Sequence, residues 1–234
     1  MATLPADLDW STAALADACV SLGLDLRVGP PGLVPLVPGR RAAGRVQPSV
    51  HAGSMDVVLE AIQHASPGDV LLVDNNGRLD EGCFGALEAA EAGAQRLAAV
   101  IVDGVHRDGA ELAQSALPLW SWGTCPAGPL ELRRRHATAL EAATCGKATV
   151  TREDVAFLDE DGIVFVALTE LSRVAGVVRD IVARRRDLAD RVRAGEPLRD
   201  QLGLAAFVER RAAHAEYTFR HHLDDHQRAL PGLR

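Results

Sequence analysis

The chain has 234 residues, of which 47% are hydrophobic, and a formal net charge of −7 from 32 acidic and 25 basic side chains. This size and composition fit one large domain, or one domain with a helical extension. Because no basic face dominates the composition, nucleic acid is not expected as a direct partner. No apolar run reaches the roughly 20 residues that span a bilayer, so no membrane partner is expected either.

The N-terminus and the cysteines indicate a cytoplasmic protein. Residues 1–7 lack the basic start and apolar core of a signal peptide. The four cysteines are widely spaced and form no C-x-x-C pair, which gives no support for a zinc or disulfide-exchange motif. Reduced thiols in a cytoplasmic setting are therefore the expectation.

The first third of the chain predicts a helix, a crossing segment, a strand and a second helix. Ser11–Leu22 has a 3.6-residue apolar stripe behind a capping hydroxyl. Val28–Arg40 contains several prolines and glycines and is predicted as a loop or extended segment. Gly44–Val50 is predicted as a strand, and Ser54–Ala65 as a helix that ends at Ser66-Pro67-Gly68.

A strand–helix–strand unit follows. Asp69–Asp74 is a short apolar strand, expected to be covered on both faces. Asn75–Arg78 is predicted as a loop because its residues tolerate positive φ. Phe84–Ala92 is predicted as a helix and Leu97–Asp103 as the next strand, so the two strands should be parallel with a right-handed crossover.

The remainder predicts an antiparallel portion and a helical tail. Asp159–Gly162 is a tight turn that should join two strands. The predicted fold is therefore α/β over residues 1–168, with a helical extension over 169–234 that is expected to pack on a neighbouring subunit. The elements of this part are a helix over Asp108–Ala116, strands over Leu117–Trp122, Ala148–Thr151, Val155–Leu158 and Ile163–Leu168, and helices over Thr169–Ala194 and within Leu202–Leu230.

Arg107 and Asp108 are the main candidates for chemistry. They follow a buried strand, and open α/β sheets place ligands at that edge. A guanidinium binds a carboxylate through two parallel hydrogen bonds, and a carboxylate oxygen is a ligand for a hard divalent cation. Together they predict a site that binds and polarises a 2-oxo acid. The alternative is a solvated helix start, which such pairs often are.

The loop Gly82–Leu87 is a second candidate. It opens the crossover helix, where unpaired backbone N–H groups carry partial positive charge. The amides of Gly85, Ala86 and Leu87 are expected to receive a substrate carboxylate or phosphate. The alternative is a tight turn in which glycine only relieves backbone strain.

With these pieces assembled, the sequence resembles the RraA-like family, which includes 4-hydroxy-4-methyl-2-oxoglutarate aldolases, oxaloacetate decarboxylases and inhibitors of an endoribonuclease complex. The resemblance is carried by Ser11–Ala18, Pro67–Asp74, Val102–Asp108 and Asp159–Val166. It implies a swivelling β/β/α layered domain. It also implies a homotrimer or homohexamer with active sites in clefts between subunits.

The resemblance also implies roles for the candidate residues. Arg107 would bind the pyruvyl part of a small 2-oxo acid and stabilise the developing enolate. Asp108 would hold Mg²⁺ or Mn²⁺ weakly, largely through water, and the amides of Gly85, Ala86 and Leu87 would bind the substrate carboxylate. A Schiff base is not needed for this chemistry, and Lys147 is the only lysine of the chain.

Two departures from the family pattern leave the activity open. Ala86 stands where the aldolases carry an acidic residue, and Arg185 or Arg186 stands where a C-terminal glutamate is usual. Three hypotheses remain. The chain is a metal-dependent lyase, a non-catalytic regulator that acts by protein contact, or a pathway-specific enolate enzyme with an altered metal shell.

Overall fold

The structure is a computed structural model that describes residues 10–226. The described chain divides into two compact units. The first comprises residues 10–13 and 26–171, and the second comprises residues 14–25 and 172–226. The N-terminal residues that were examined for a signal peptide lie outside the described part, as do residues 227–234.

The first unit is built on one large mixed sheet. Its elements, numbered in chain order, are β1 (Arg27–Val28), β2 (Val34–Pro35), β3 (Ala42–Val50), α2 (Asp56–His64), β4 (Val70–Gly82), α3 (Ala86–Ala94), β5 (Ala99–Val105), α4 (Gly109–Gln114), β6 (Leu119–Ser121), β7 (Ala142–Cys145), β8 (Ala148–Thr151), β9 (Asp154–Asp159) and β10 (Gly162–Ala167); α1 (Thr12–Ser21) precedes them. The strand order is β1-β10-β9-β3-β4-β5-β6-β2, and β7 and β8 form a separate hairpin.

Four central strands, β3 to β6, run parallel, and the outer strands are antiparallel to their neighbours. The apolar runs of β4 and β5 are buried on both faces, as expected of parallel strands. Leu71 and Val102 pack on one face with side chains of α2, α3 and α4. Leu72 and Ile101 pack on the other face with the β7–β8 hairpin. The unit is therefore layered, with the hairpin on one face of the sheet and the helices on the other.

The second unit combines residues 14–25 with the C-terminal helices. These helices are α5 (Leu171–Arg193, which begins at the boundary), α6 (Leu198–Gln201), α7 (Leu204–Ala213) and α8 (Phe219–His226). An ion pair joins Arg185 to Asp17, and Arg173 donates a hydrogen bond to the Leu22 carbonyl. In the described residues, no helix has the length and apolarity to cross a membrane.

The predicted fold class is confirmed, with a mixed sheet, helices and a C-terminal helical region. The parallel strand–helix–strand unit is confirmed as well, because β4 and β5 are parallel and α3 lies between them in the chain; the right hand of the crossover stays a prediction. The predicted long helix Thr169–Ala194 is α5. The predicted helix Asp108–Ala116 is shorter, since α4 begins at Gly109 and Ser115 is already extended.

One predicted loop was wrong. Asn75–Arg78 is not a loop, because β4 continues through it to Gly82 and pairs with β5 across two register shifts. Asn76 and Gly77 do adopt positive φ, of 56° and 66°, so the local signal marked a bulge within a strand. The segment Val28–Arg40, predicted as a loop or extended segment, is mostly irregular and extended. It includes the end of β1 and all of β2, which pair with β10 and β6. The hairpin strand Ala142–Cys145 was not predicted.

Candidate functional site

Arg107 and Asp108 lie just beyond the end of β5, at its carboxyl edge. Asp108 has left-handed backbone angles, φ 59° and ψ 38°, and precedes α4. The backbone N–H of Arg107 donates to the carbonyl of Phe84 at 2.9 Å, which ties this segment to the loop before α3. The Arg107 side chain is 49% exposed and the Asp108 side chain 34%, so both are accessible to a ligand.

Two glycines allow this close approach. A Cβ added at Gly85 would lie 2.6 Å from Asp108 Oδ2 and 3.0 Å from Arg107 Cγ. A Cβ added at Gly82 would lie 3.0 Å from Arg107 Cβ. Real Cβ atoms essentially never show a contact of 2.6 Å and rarely one of 3.0 Å, so a side chain at either glycine would push the two loops or their side chains apart. Because β4 and β5 are neighbouring parallel strands, the loop after β4 lies beside the end of β5.

The first amides of α3 are hydrogen-bonded to the protein's own carboxylates. The Ala86 N–H donates to Asp108 Oδ2 at 3.1 Å, and the Gly85 N–H donates to Glu88 Oε2 at 3.1 Å. Binding of a substrate carboxylate at the amides of Gly85, Ala86 and Leu87 stays a prediction. A ligand there would have to share or replace these two internal hydrogen bonds.

Of the predicted site residues, Arg107, Asp108 and Leu87 line a cleft of about 270 Å³. Its wall includes Arg107, Asp108, His51, Glu88 and Cys83, together with Gly53, Ser54, Met55, Gly82, Phe84, Leu87 and Pro129. Burial raises the pKa of the Cys83 thiol to about 12. The thiol therefore stays protonated at neutral pH and is not an activated nucleophile.

A second cavity of about 390 Å³ lies beside the cleft and shares His51 with it. Behind it is a buried carboxylate, Glu81. Arg133 Nη2 donates to Glu81 Oε1 at 2.7 Å, and Arg78 Nη2 lies 3.3 Å from Glu81 Oε2. Burial alone would raise the pKa of Glu81, but the hydrogen bond and charge of Arg133, with the charge of Arg78, together lower it below its ordinary value.

His51 lies at the junction of the two cavities, directly after β3. Its Nδ1 is 3.1 Å from Asn75 Oδ1 and 3.3 Å from Arg133 Nη2, and the Gly53 N–H reaches Nδ1 at 3.4 Å. Burial lowers the pKa of His51 below 6.5, and the charge of Arg133 lowers it further. The Asn75 hydrogen bond and the charges of Glu81 and Glu88 oppose this shift. His51 is therefore neutral at physiological pH.

The sequence did not single out His51, Glu81 or Arg133. These residues are far apart in the chain, and no local pattern links them. Asp74 and Asn75 line the second cavity. Asp74 also accepts hydrogen bonds from Thr144 N at 2.8 Å and Thr144 Oγ1 at 2.6 Å, which makes it a structural carboxylate.

His106, the neighbour of Arg107, does not line the cleft. It is buried, and its Nδ1 is 2.7 Å from Ser121 Oγ. Burial lowers the pKa of His106 as well. Its position indicates a packing role behind the Arg107 segment.

Metal binding at Asp108 would depend on few protein ligands. Within residues 10–226, no three or more His, Cys, Asp or Glu side chains are gathered as a metal site. Asp108 and Glu88 nevertheless bring carboxylate oxygens, the ligands that Mg²⁺ prefers, to one cleft. This donor set fits a largely hydrated ion whose shell is completed by substrate oxygens.

Comparisons with known proteins agree with this architecture. Residues 12–165 match the model of the RraA-like family, described as Aldolase/RraA. An uncharacterized protein of Methanocaldococcus jannaschii is 26% identical over 134 residues, which cover 56% of this chain and 62% of that protein. The chain thus spans less than two thirds of the length of this curated relative.

Solved structures are similar over a larger share of the chain. An uncharacterized protein from Pseudomonas syringae pv. tomato is 26% identical, with a TM-score of 0.73 and coverage of 82% of this chain and 88% of that one. Streptomyces coelicolor RraAS2, described as an unusual member of the RNase ES inhibitor RraA protein family, is 21% identical. Its TM-score is 0.67, with coverage of 82% and 99%. The second likeness concerns the fold alone.

Proposed function

Because the chain belongs to the RraA-like family, which includes aldolase/decarboxylase enzymes and RNase E inhibitors, we propose that it is a divalent-metal-dependent lyase. Its substrate would be a small 2-oxo acid of the 4-hydroxy-4-methyl-2-oxoglutarate or oxaloacetate type, cleaved through a pyruvate enolate. The observation that carries this proposal is the meeting of Arg107, Asp108 and the start of α3 in one cleft.

Arg107 binds the pyruvyl carboxylate and the carbonyl oxygen at C2. Both retro-aldol cleavage and β-decarboxylation move an electron pair toward that oxygen. A guanidinium there stabilises the charge that develops in the transition state more than the charge of the substrate, which is the requirement for rate enhancement. Gly82 and Gly85 leave room for the Arg107 side chain at this position.

Asp108 is the proposed carboxylate for Mg²⁺ or Mn²⁺, bound weakly and mainly through water. The ion would supply Lewis acidity at the 2-oxo group. Asp108 also accepts the Ala86 N–H, which fixes the direction of its carboxylate. With Ala86 in place of an acidic residue, substrate oxygens must complete the coordination.

We further propose that the protein acts as a homotrimer or homohexamer in the cytoplasm, with a neighbouring subunit closing the cleft. Leu87, in the cleft wall, is 75% exposed. Leu130 and Leu132, which follow the cleft residue Pro129, are 92% and 81% exposed. Apolar side chains grouped at a binding cleft are typical of surfaces that another chain covers.

The test is turnover of oxaloacetate by the purified protein with and without Mg²⁺ or Mn²⁺, measured as pyruvate formed above the rate of the metal alone. Arg107→Ala should lower the rate by about 10²–10³-fold. Arg96→Lys, at an exposed site outside the cleft, is the control for handling and metal content. A wild-type rate equal to the metal background would reject the lyase proposal.

A second candidate function is a regulator that acts by protein contact. Two observations favour it. The amides of Gly85 and Ala86 are engaged by Glu88 and Asp108, and the family's acidic residue is replaced by Ala86. Pull-down from a cell extract should then recover a specific protein whose binding survives Arg107→Ala. A pathway-specific enolate enzyme with an altered metal shell would instead show metal-dependent turnover of a different 2-oxo acid.

A further inference from the structure

His51 lines the same cleft as Arg107 and Asp108, and none of the steps above uses it. Its side chain is almost fully buried, and its backbone is fixed by a hydrogen bond from His51 N to the Asp74 carbonyl at 2.9 Å. One edge of the imidazole ring is held by Asn75 and Arg133. A buried, oriented and neutral histidine in a ligand cleft is the arrangement of a general base.

The contacts of Asn75 determine which ring nitrogen carries the proton. Arg133 Nη2, a group that can only donate, lies 3.1 Å from Asn75 Oδ1, so this atom is the carbonyl oxygen of the amide. The shortest contact of His51 Nδ1 is to the same oxygen, at 3.1 Å, and a hydrogen bond there requires Nδ1 to donate, so we assign the ring proton to Nδ1. The N–H groups of Gly53 and Arg133 Nη2, which can only donate, lie farther from Nδ1, at 3.4 and 3.3 Å.

This tautomer leaves Nε2 with a free lone pair. In the part of the chain that the structure describes, no hydrogen bond to His51 Nε2 is present. Asn75 in turn is held by Arg133, which is held by buried Glu81. The chain of contacts from Glu81 to His51 fixes the ring in the way that a third group orients the base in catalytic triads.

The other titratable groups of the cleft are less suitable as a general base. Cys83 is a protonated thiol, and Arg107 is a permanent cation. Asp108 and Glu88 each have one oxygen hydrogen-bonded to a backbone amide, and the second oxygen of Asp108 lies 3.5 Å from Arg107 Nε. Among the described residues of the cleft wall, His51 is the remaining neutral base.

We propose that His51 is the general base of the retro-aldol cleavage, an inference that rests on the proposed lyase function. Nε2 removes the proton of the C4 hydroxyl. The C4–O bond becomes a carbonyl as the C3–C4 bond breaks, and the electron pair of that bond forms the pyruvate enolate. The protonated His51 then returns the same proton to C3, which yields pyruvate and restores the neutral ring.

Decarboxylation of oxaloacetate distinguishes the role of His51 from the roles of the other site residues, because it needs no general base. Carbon dioxide leaves with no hydroxyl proton to remove, and the C–C electron pair forms the same enolate, which solvent can protonate. A variant that lacks the base should therefore lose aldol cleavage much more than decarboxylation. Loss of the whole site, as in Arg107→Ala, should lower both.

The experiment compares wild type, His51→Asn and the matched exposed-site control His64→Asn in three assays with added Mg²⁺. These are cleavage of 4-hydroxy-4-methyl-2-oxoglutarate, decarboxylation of oxaloacetate, and exchange of the C3 protons of pyruvate in D₂O followed by NMR. His51→Asn should lower kcat for cleavage and exchange by about 10²–10⁴-fold and leave decarboxylation within a few fold. His64→Asn should match wild type in all three.

A second variant, Asn75→Asp, tests the role of His51 through the pH profile. A carboxylate next to His51 Nδ1 favours the protonated ring and so raises the pKa of His51. The charges of Glu81 and Glu88 raise this pKa as well, whereas the charge of Arg133 lowers it. The acid limb of kcat/KM for cleavage should move to higher pH in Asn75→Asp. A merely structural role of Asn75 would lower the rate without moving this limb.

Each outcome has a distinct meaning. A wild type that decarboxylates oxaloacetate, with cleavage and exchange unaffected by His51→Asn, overturns the role of His51 and leaves the lyase proposal standing. An unmoved acid limb in active Asn75→Asp also overturns it, even where His51→Asn does not fold. A wild type that is inactive in all three assays rejects the lyase function and the base together.

Discussion

Arg133 and Glu81 are joined by two hydrogen bonds, from Nη2 to Oε1 at 2.7 Å and from Nη1 to Oε2 at 3.3 Å. The Glu81 side chain is 3% exposed and that of Arg133 is 32% exposed. The pair ties the loop after the cleft residue Pro129 to the end of β4. Arg133 N also donates to the Ala52 carbonyl at 2.8 Å, so the same residue is anchored to the segment after His51.

Removal of this buried charge should destabilise the fold. Glu81→Gln leaves Arg133 and Arg78 with a neutral partner, and we expect a loss of about 1–3 kcal/mol, below the value for fully buried pairs because both guanidiniums are partly solvated. Urea unfolding of wild type and Glu81→Gln measures this loss of unfolding free energy. Glu153→Gln, at an exposed ion pair with Arg45, is the control and should change stability by less than about 1 kcal/mol.

The contribution of this ion pair to the free energy of unfolding depends on pH. The folded-state pKa of Glu81 lies below its ordinary value of 4.5, so its stabilising contribution is complete above pH 4.5 and is lost as the pH falls through the folded-state pKa. The stability gap between wild type and Glu81→Gln should therefore narrow on acidification. A stability difference between the two proteins that stays constant down to the pH at which they unfold contradicts a lowered pKa of Glu81.

Two buried histidines should weaken the fold at mildly acidic pH. The pKa values of His51 and His106 are lowered, mainly by burial, so the unfolded chain takes up protons that the folded chain does not. Stability should fall as the pH decreases below about 6.5 toward the folded-state values, and it should level off below them. Unfolding free energies of wild type and His106→Asn, measured from about pH 7.5 to 5, should show a smaller slope in the variant.

The sequence predicts the features that are encoded by residues close together in the chain, and it does not predict contacts between residues that are far apart. Apolar runs predicted β4 and β5, because a strand that is buried on both faces needs a continuous apolar sequence. The position of Arg107 and Asp108 followed from the end of β5. His51 and Arg133 are separated by 82 residues and meet only through tertiary structure. The strand at Asn75–Arg78 was missed because hydrogen bonds from β5 override its turn-like composition.

The exposed leucines at the cleft, Leu87, Leu130 and Leu132, lead to a prediction about assembly. If a neighbouring subunit covers them, Leu130→Asp combined with Leu132→Asp should lower the mass measured by light scattering to that of a smaller species. Leu26→Asp, at a similarly apolar but less exposed position, is the comparison and should keep the wild-type mass. A wild type that is monomeric at assay concentration would contradict closure of the cleft by a second subunit.

The requirement for Gly85 provides the sharpest test of the site geometry. In Gly85→Ala the new Cβ meets Asp108 Oδ2 at 2.6 Å and Arg107 Cγ at 3.0 Å, so both side chains must move away from the start of α3. A displacement of about 1 Å in a catalytic group can cost on the order of 10²-fold in rate. Oxaloacetate turnover should fall by about this factor, with little change in the melting temperature.

Gly93→Ala is the matched control for this test. Gly93 lies in the same helix, and a Cβ added there meets no other atom within 4 Å. Since alanine favours a helix over glycine by about 1 kcal/mol, this variant should be equally active and slightly more stable than wild type. Equal activity of Gly85→Ala and Gly93→Ala would show that the contact of Gly85 with Arg107 and Asp108 does not position them for chemistry.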